Sequence, residues 1–228
     1  MLWIWPLKGV ILLLIIMRNF KRAVVLAVYL LIVWGFYRFL FKLPDEIEEL
    51  IIKPILWLLP VFYLVKSERQ NLESLGITFK NLFPAVYYAL GLGAFFVLEA
   101  VIVNFLKYGG QFNLGANIGN LPLLPALGLS FATAVSEEIT FRGYIFTRVW
   151  AFVKNELWAN ILTSVFWALI HVPVTIFVWK LDMSAALIYL FLTTLFGVGS
   201  AFVFARTKNI VSPILLHVLW QWPIILFR

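Results

Sequence analysis

An all-α, polytopic transmembrane bundle is the fold class this sequence predicts, and three observations predict it. Hydrophobic residues make up 63% of the 228 positions and charged residues only 13%, against about 45–50% and about 25% in soluble domains. The apolar residues fall in long runs separated by short polar connections, and mean hydropathy is +0.98. The 22 Phe, 10 Trp and 8 Tyr suit a protein with two lipid–water interfaces to anchor. Cysteine is absent, which removes disulfides, thiolate nucleophiles and thiolate metal sites. The net charge of +7 is carried in short clusters between apolar runs, so membrane topology rather than nucleic-acid binding accounts for it.

A membrane-spanning helix needs about 20 mostly apolar residues. The chain divides into apolar runs near 3–17, 23–41, 47–65, 83–106, 122–148, 157–179, 184–205 and 212–227, predicting about eight spans. The first is interrupted by Lys8, and an uncleaved signal-like anchor is the other reading of it. Between the third and fourth runs, the polar stretch Lys66 to Asn81 predicts a cytoplasmic loop with a short surface helix, and the Gly- and Asn-rich stretch Gly109 to Asn120 predicts an outer loop.

Lys and Arg alternate in abundance between successive connections. Arg18, Lys21 and Arg22, then Lys66, Arg69 and Lys80, then Arg148 and Lys154, then Arg206 and Lys208 fall on one side; Lys42, Lys107, Lys180 and Arg228 fall on the other. Cytoplasmic loops carry the excess, so with eight spans both termini are predicted on the non-cytoplasmic side. No internal repeat of the kind that builds many transporters is visible. The chain divides into residues 1–121, spans without a recognised motif, and 122–228, which hold the ionisable residues discussed next.

Ionisable groups at bilayer depth are costly and point to function. In the fifth run, Glu138 and Arg142 are four apart and share a helix face, which predicts an ion pair, while Glu137 projects about 100° away and is free to act on a ligand or water. A location in interfacial water, with Arg142 reaching outward, is the competing reading. The sixth run brings His171, with Pro173 two residues later removing a backbone donor and crowding the carbonyl of Leu169; a helix break beside the imidazole follows, where otherwise a core histidine would be expected. In the eighth run Ser212 and Pro213 read as helix cap and first turn. There His217 and Gln221 share a face, as oxyanion donors or as an interhelical polar clamp.

Taken in order, EEITFR (Glu137–Arg142), WALIH (Trp167–His171) and HVLWQ (His217–Gln221) resemble the signature of the CPBP or Abi family, the CAAX prenyl endopeptidase and bacteriocin-processing group of intramembrane proteases. That signature runs Glu-Glu-x-x-x-Arg, Phe-x-x-x-His and His-x-x-x-Asn or a similar polar residue. Trp167 keeps a large ring at the Phe position, and Gln221 keeps the amide with one more methylene. The resemblance covers about residues 122–225. It implies an intramembrane endopeptidase in which Glu137 is the general base, His171 holds the water, Arg142 locks Glu138, and His217 with Gln221 binds the oxyanion. It implies no cofactor, and as partners membrane lipid and a membrane-anchored protein or peptide substrate, of which prenylated CAAX proteins are the best-known kind.

Other classes are compatible with parts of the pattern. Two Glu and two His could hold a divalent metal such as zinc, although the His-Glu-x-x-His pattern is absent. Ser130, Ser136 and Ser164 lie in apolar runs but in no Gly-x-Ser-x-Gly elbow. Glu99 and Asn104 add membrane-depth polarity of use to a proton-coupled transporter, and a non-catalytic scaffold or immunity protein would keep the motifs without turnover. Gly197, Gly199, Ser200 and Ala201 read as a surface for close helix packing.

Overall fold

The computed structural model describes residues 4–41, 43–113 and 123–227, and every regular element among them is helical. Seven long helices dominate: α1 (Ile4–Leu40), α2 (Asp45–Ser67), α3 (Leu82–Lys107), α4 (residues 123–153), α5 (Glu156–Val178), α6 (Met183–Thr207) and α7 (Val211–Phe227). By length and composition α2, α3, α5 and α6 are each able to cross a membrane. Large apolar side chains point outward along the helices, among them Val25, Tyr63, Phe83, Leu98, Leu162 and Phe191. A surface of that character is stable against acyl chains rather than water.

The first two predicted spans are corrected by the structure. They form one uninterrupted helix of 37 residues, because the RNFKR stretch between them contains no Gly or Pro and consists of residues that a helix accommodates. Arg18, Lys21 and Arg22 are therefore helical and do not form a loop. The other basic clusters gather at the same end of the bundle. Phe20 stacks on Phe152 with ring centroids 4.0 Å apart, Arg148 pairs with Glu68 at 2.9 Å, Arg206 pairs with Glu156, and Lys208 Nζ sits 3.5 Å from the centre of the Trp150 ring. The alternating charge pattern in the sequence thus corresponds to one physical face of the molecule.

Local chemistry sets the helix starts. Asn155 and Asp182 cap α5 and α6 by accepting from the amides of Trp158 and Ala185 at 3.1 and 2.9 Å. At α7 it is Asn209, rather than the predicted Ser212, whose side chain accepts an early amide, that of Val211 at 2.9 Å; Ser212 turns back to the Asn209 carbonyl. Asn209 also donates to the carbonyls of Thr78 and Lys80, tying the start of α7 to the loop after α2. That loop holds a single 3₁₀ turn, Leu72–Leu75, as the short surface helix expected there. It packs so closely on α4 that a Cβ on Gly143 would lie 2.8 Å from the Leu75 carbonyl oxygen.

Three helices widen into π turns: α2 at Glu48–Ile52, α4 at Ile139–Phe146 and α5 at Val174–Val178. Such turns recur at functional sites. In α2 the cause is legible, since Pro54 lacks an amide and its ring crowds the carbonyl of Leu50; the Lys53 amide bonds instead to Glu48. In α5 the predicted break is present: the α-helical stretch ends at Ile170, and the His171 amide bonds back only three residues, to Ala168. Of the predicted outer loop, residues 109–113 are described, with Asn104 gripping the backbone of Asn113 through both amide atoms. Residues 114–120 of that loop, the 121/122 division and the terminal Arg228 lie outside the described residues.

Candidate active site

Glu138 has no solvent exposure and is held from three sides. Oε1 accepts from Arg142 at 3.2 Å and from Nδ1 of His217 at 2.7 Å, and Oε2 accepts from the Ser200 hydroxyl at 2.6 Å. Arg142, itself 2% exposed, also donates to the Gly197 carbonyl at 3.3 Å and lies over the face of Trp167 at 4.7 Å. A Cβ at Gly197 would stand 3.2 Å from that guanidinium, so a residue without a side chain is what allows the approach. The expected Glu138–Arg142 pair is present and deep in the bundle, which removes the interfacial-water reading. Gly197 and Ser200 do more than pack: one supplies a carbonyl and the other a hydroxyl to this knot.

Glu137 differs from the sequence expectation of a free carboxylate. Its Oε1 contacts Lys53 Nζ at 2.7 Å, and its Oε2 accepts from the Trp167 indole at 2.9 Å. Lys53 in turn touches Glu49 at 2.7 Å, and Glu49 accepts from Thr133 at 2.6 Å. The physical reason is that a carboxylate and an ammonium facing one another in a dry interior each remove the other's desolvation cost. Glu137 still keeps acceptor capacity, because a carboxylate offers about four lone-pair sites. Three carboxylates (Glu49, Glu137, Glu138) and two fixed cations (Lys53, Arg142) sum to −1, so a single proton on either histidine neutralises the cluster.

Both imidazoles have their Nδ1 atoms committed. His171 Nδ1 lies 2.9 Å from the Trp167 carbonyl oxygen, and His217 Nδ1 lies 2.7 Å from Glu138. Both partners are acceptors, so each Nδ1 carries the hydrogen. When neutral, each Nε2 presents a lone pair; when charged, a donor. Gln221 is oriented from behind, its carbonyl oxygen accepting from Ser130 at 2.8 Å. That contact leaves its amide hydrogens for another partner.

These groups meet in one cavity of about 170 Å³, lined by Glu49, Lys53, Thr133, Glu137, His171, His217 and Gln221, with Trp34, Trp167, Trp179, Tyr189 and Trp220 as aromatic walls. It lies well inside the bundle: Lys53 is 13 residues from Lys66, or ~20 Å along α2. Ser130 and Ser164 are engaged with Gln221 and Asn160, and neither they nor Ser136 line it. Glu99 and Asn104 are on α3, away from the cavity. Among the described residues no three His, Cys, Asp or Glu side chains converge as a metal ligand set.

Sequence reasoning missed Lys53 and Glu49. The available signal was an ionisable pair at i, i+4 spacing inside an apolar run. It also undervalued Trp167, whose indole N–H gives Glu137 a hydrogen bond that the Phe of the motif lacks.

Residues 119–223 match the family model described as Type II CAAX prenyl endopeptidase Rce1-like. No curated protein matches the chain. The matched stretch contains all three motifs, from Glu137 to Gln221, while Glu49 and Lys53 lie outside it. Over residues 119–223 the chain is therefore similar to the Type II CAAX prenyl endopeptidase Rce1-like family, in line with the resemblance that its ordered motifs carry.

Proposed function

We propose that this protein is an intramembrane endopeptidase that hydrolyses a peptide bond of a membrane-anchored substrate with a water activated by Glu137. The observation that carries the reading is one cavity lined together by Glu137, His171, His217 and Gln221. Glu137 is fixed by Lys53 and Trp167 with acceptor sites to spare, and takes the proton from water as the oxygen attacks. His171, its Nδ1 anchored, turns Nε2 to that water and orders it. The tetrahedral oxyanion is met by the Gln221 amide, already aimed by Ser130, and by His217, whose ring is held in place by Glu138. Donors fixed before the reaction cost no reorganisation when charge develops. Glu138, Arg142 and Ser200 act behind the site, keeping His217 in one orientation.

The substrate class is a lipid-anchored protein, with a prenylated C-terminal CAAX sequence as the form that the family description suggests. Water activation needs no metal in this reading. The test is reconstitution in liposomes with a farnesylated CAAX peptide, comparing wild type with Glu137→Ala, each with and without a strong chelator. Release of a C-terminal fragment by wild type alone, unaffected by chelator, is the expected result. Chelator-sensitive cleavage would replace the mechanism with a metal-assisted one, and solute flux without cleavage would replace the enzyme with a carrier.

A further inference from the structure

Lys53 stands on α2, outside the stretch that matches the family, yet it lines the catalytic cavity and contacts Glu137 at 2.7 Å. It is 3% exposed and wedged between two carboxylates. An ammonium has three N–H donors; Glu49 and Glu137 take two, which leaves one for a ligand in the cavity. Peptide hydrolysis also needs a proton at the departing nitrogen, and the motif residues offer only the one that Glu137 has taken from water. The departing nitrogen must be protonated as the C–N bond breaks, since an amide anion is too basic to leave. Arg142 does not release protons in proteins, and each histidine has its Nδ1 hydrogen bound to an acceptor away from the cavity.

We propose that Lys53 is the general acid of the reaction, a proposal that rests on the reading of Glu137 as general base. Water bonds through oxygen to the carbonyl carbon as Glu137 takes one of its protons. The tetrahedral intermediate collapses, the C–N bond breaks, and Lys53 gives a proton to the nitrogen, which departs as an amine. The proton held by Glu137 then crosses the direct 2.7 Å contact to the neutral Lys53 amine. Water has been divided between the new carboxyl and amino ends, and both side chains have returned to their starting states. Glu49, oriented by Thr133, holds Lys53 between the base and the leaving group.

The experiment compares a farnesylated CAAX peptide with its analogue bearing a thioester at the scissile link, whose thiolate departs without a proton. Lys53→Arg keeps the cation but has no proton to give at working pH. It is expected to cut peptide cleavage by ~10²–10⁴, the range of general acid–base catalysis, and thioester cleavage by less than ~10-fold. Retained thioester cleavage also shows that the variant is folded. Equal losses on both substrates, or peptide cleavage by Lys53→Arg near the wild-type rate, would overturn the assignment. Glu137→Gln separates the two claims: loss of both cleavages in that variant keeps the base reading whatever Lys53 does, whereas wild-type rates on both would remove the base reading and this proposal with it.

Discussion

Trp167 shows how one atom changes the meaning of a motif. Its ring fills the aromatic position of the resemblance, but its N–H also fixes Oε2 of Glu137 at 2.9 Å, and its carbonyl fixes His171. Hydrogen bonds to charged groups contribute about 1.5–3 kcal/mol, so Trp167→Phe is expected to lower kcat/KM by ~10- to 100-fold and to lower the detergent melting temperature as well, with the helical circular dichroism retained. Glu138 calls for the opposite signature. Removing one partner of a buried pair costs about 3–5 kcal/mol, so Glu138→Gln should mainly destabilise the fold, read as a large fall in melting temperature. For His217→Ala the expectation is a loss of ~10²–10³ in kcat, the size seen for an oxyanion donor in another protease class. Of these residues the sequence identified Glu137, Glu138, Arg142, His171, His217 and Gln221, because charge in an apolar run stands out. Lys53 and Glu49 carry the same signal, but they sit six and two residues past the start of the run 47–65, close to Asp45 and Glu46, where charge reads as the end of a span.

At the scale of the element, the double glutamate immediately precedes the π segment Ile139–Phe146, and that segment is fixed to the polar loop by Gly143 and Arg148. Arg148 donates to the Ser74 carbonyl at 3.1 Å and binds Glu68, which also accepts from Tyr144 at 2.5 Å. Gly143→Val would drive its side chain into the Leu75 carbonyl, and overpacking of that kind costs about 1–3 kcal/mol. The measurable outcome is a lower melting temperature together with faster proteolysis between residues 66 and 81. The apolar run 122–148 predicted where α4 lies and the Pro173 rule predicted the break in α5. The π turns were not legible, because they reflect which neighbouring carbonyls and side chains a widened turn can satisfy, and that information is not local in sequence.

Across the whole molecule, one correction changes the topology. With α1 continuous, its basic residues 18–22 share an end of the bundle with Lys66, Arg148 and Lys208, and seven long helices take the place of eight spans. The expectation of both termini on the non-cytoplasmic side depended on the even number. If each of the seven long helices crosses the membrane, the N-terminus falls on the basic face and the C-terminus on the opposite one. The chain has no cysteine of its own, so single cysteines introduced before residue 4 and after residue 227 can be labelled with an impermeant reagent in intact cells. Labelling of the C-terminal site alone is expected; labelling of both would restore the even count.

The central claim is that Glu137, held by Lys53 and Trp167 in a cavity shared with two histidines, activates water for peptide hydrolysis. The most direct measurement is the single-turnover rate of farnesylated CAAX peptide cleavage by Glu137→Gln, an isosteric change, in liposomes beside wild type. The account predicts a fall of at least ~10² in rate, the lower bound for losing a general base, with the fold intact. Cleavage within a factor of a few of wild type would contradict it.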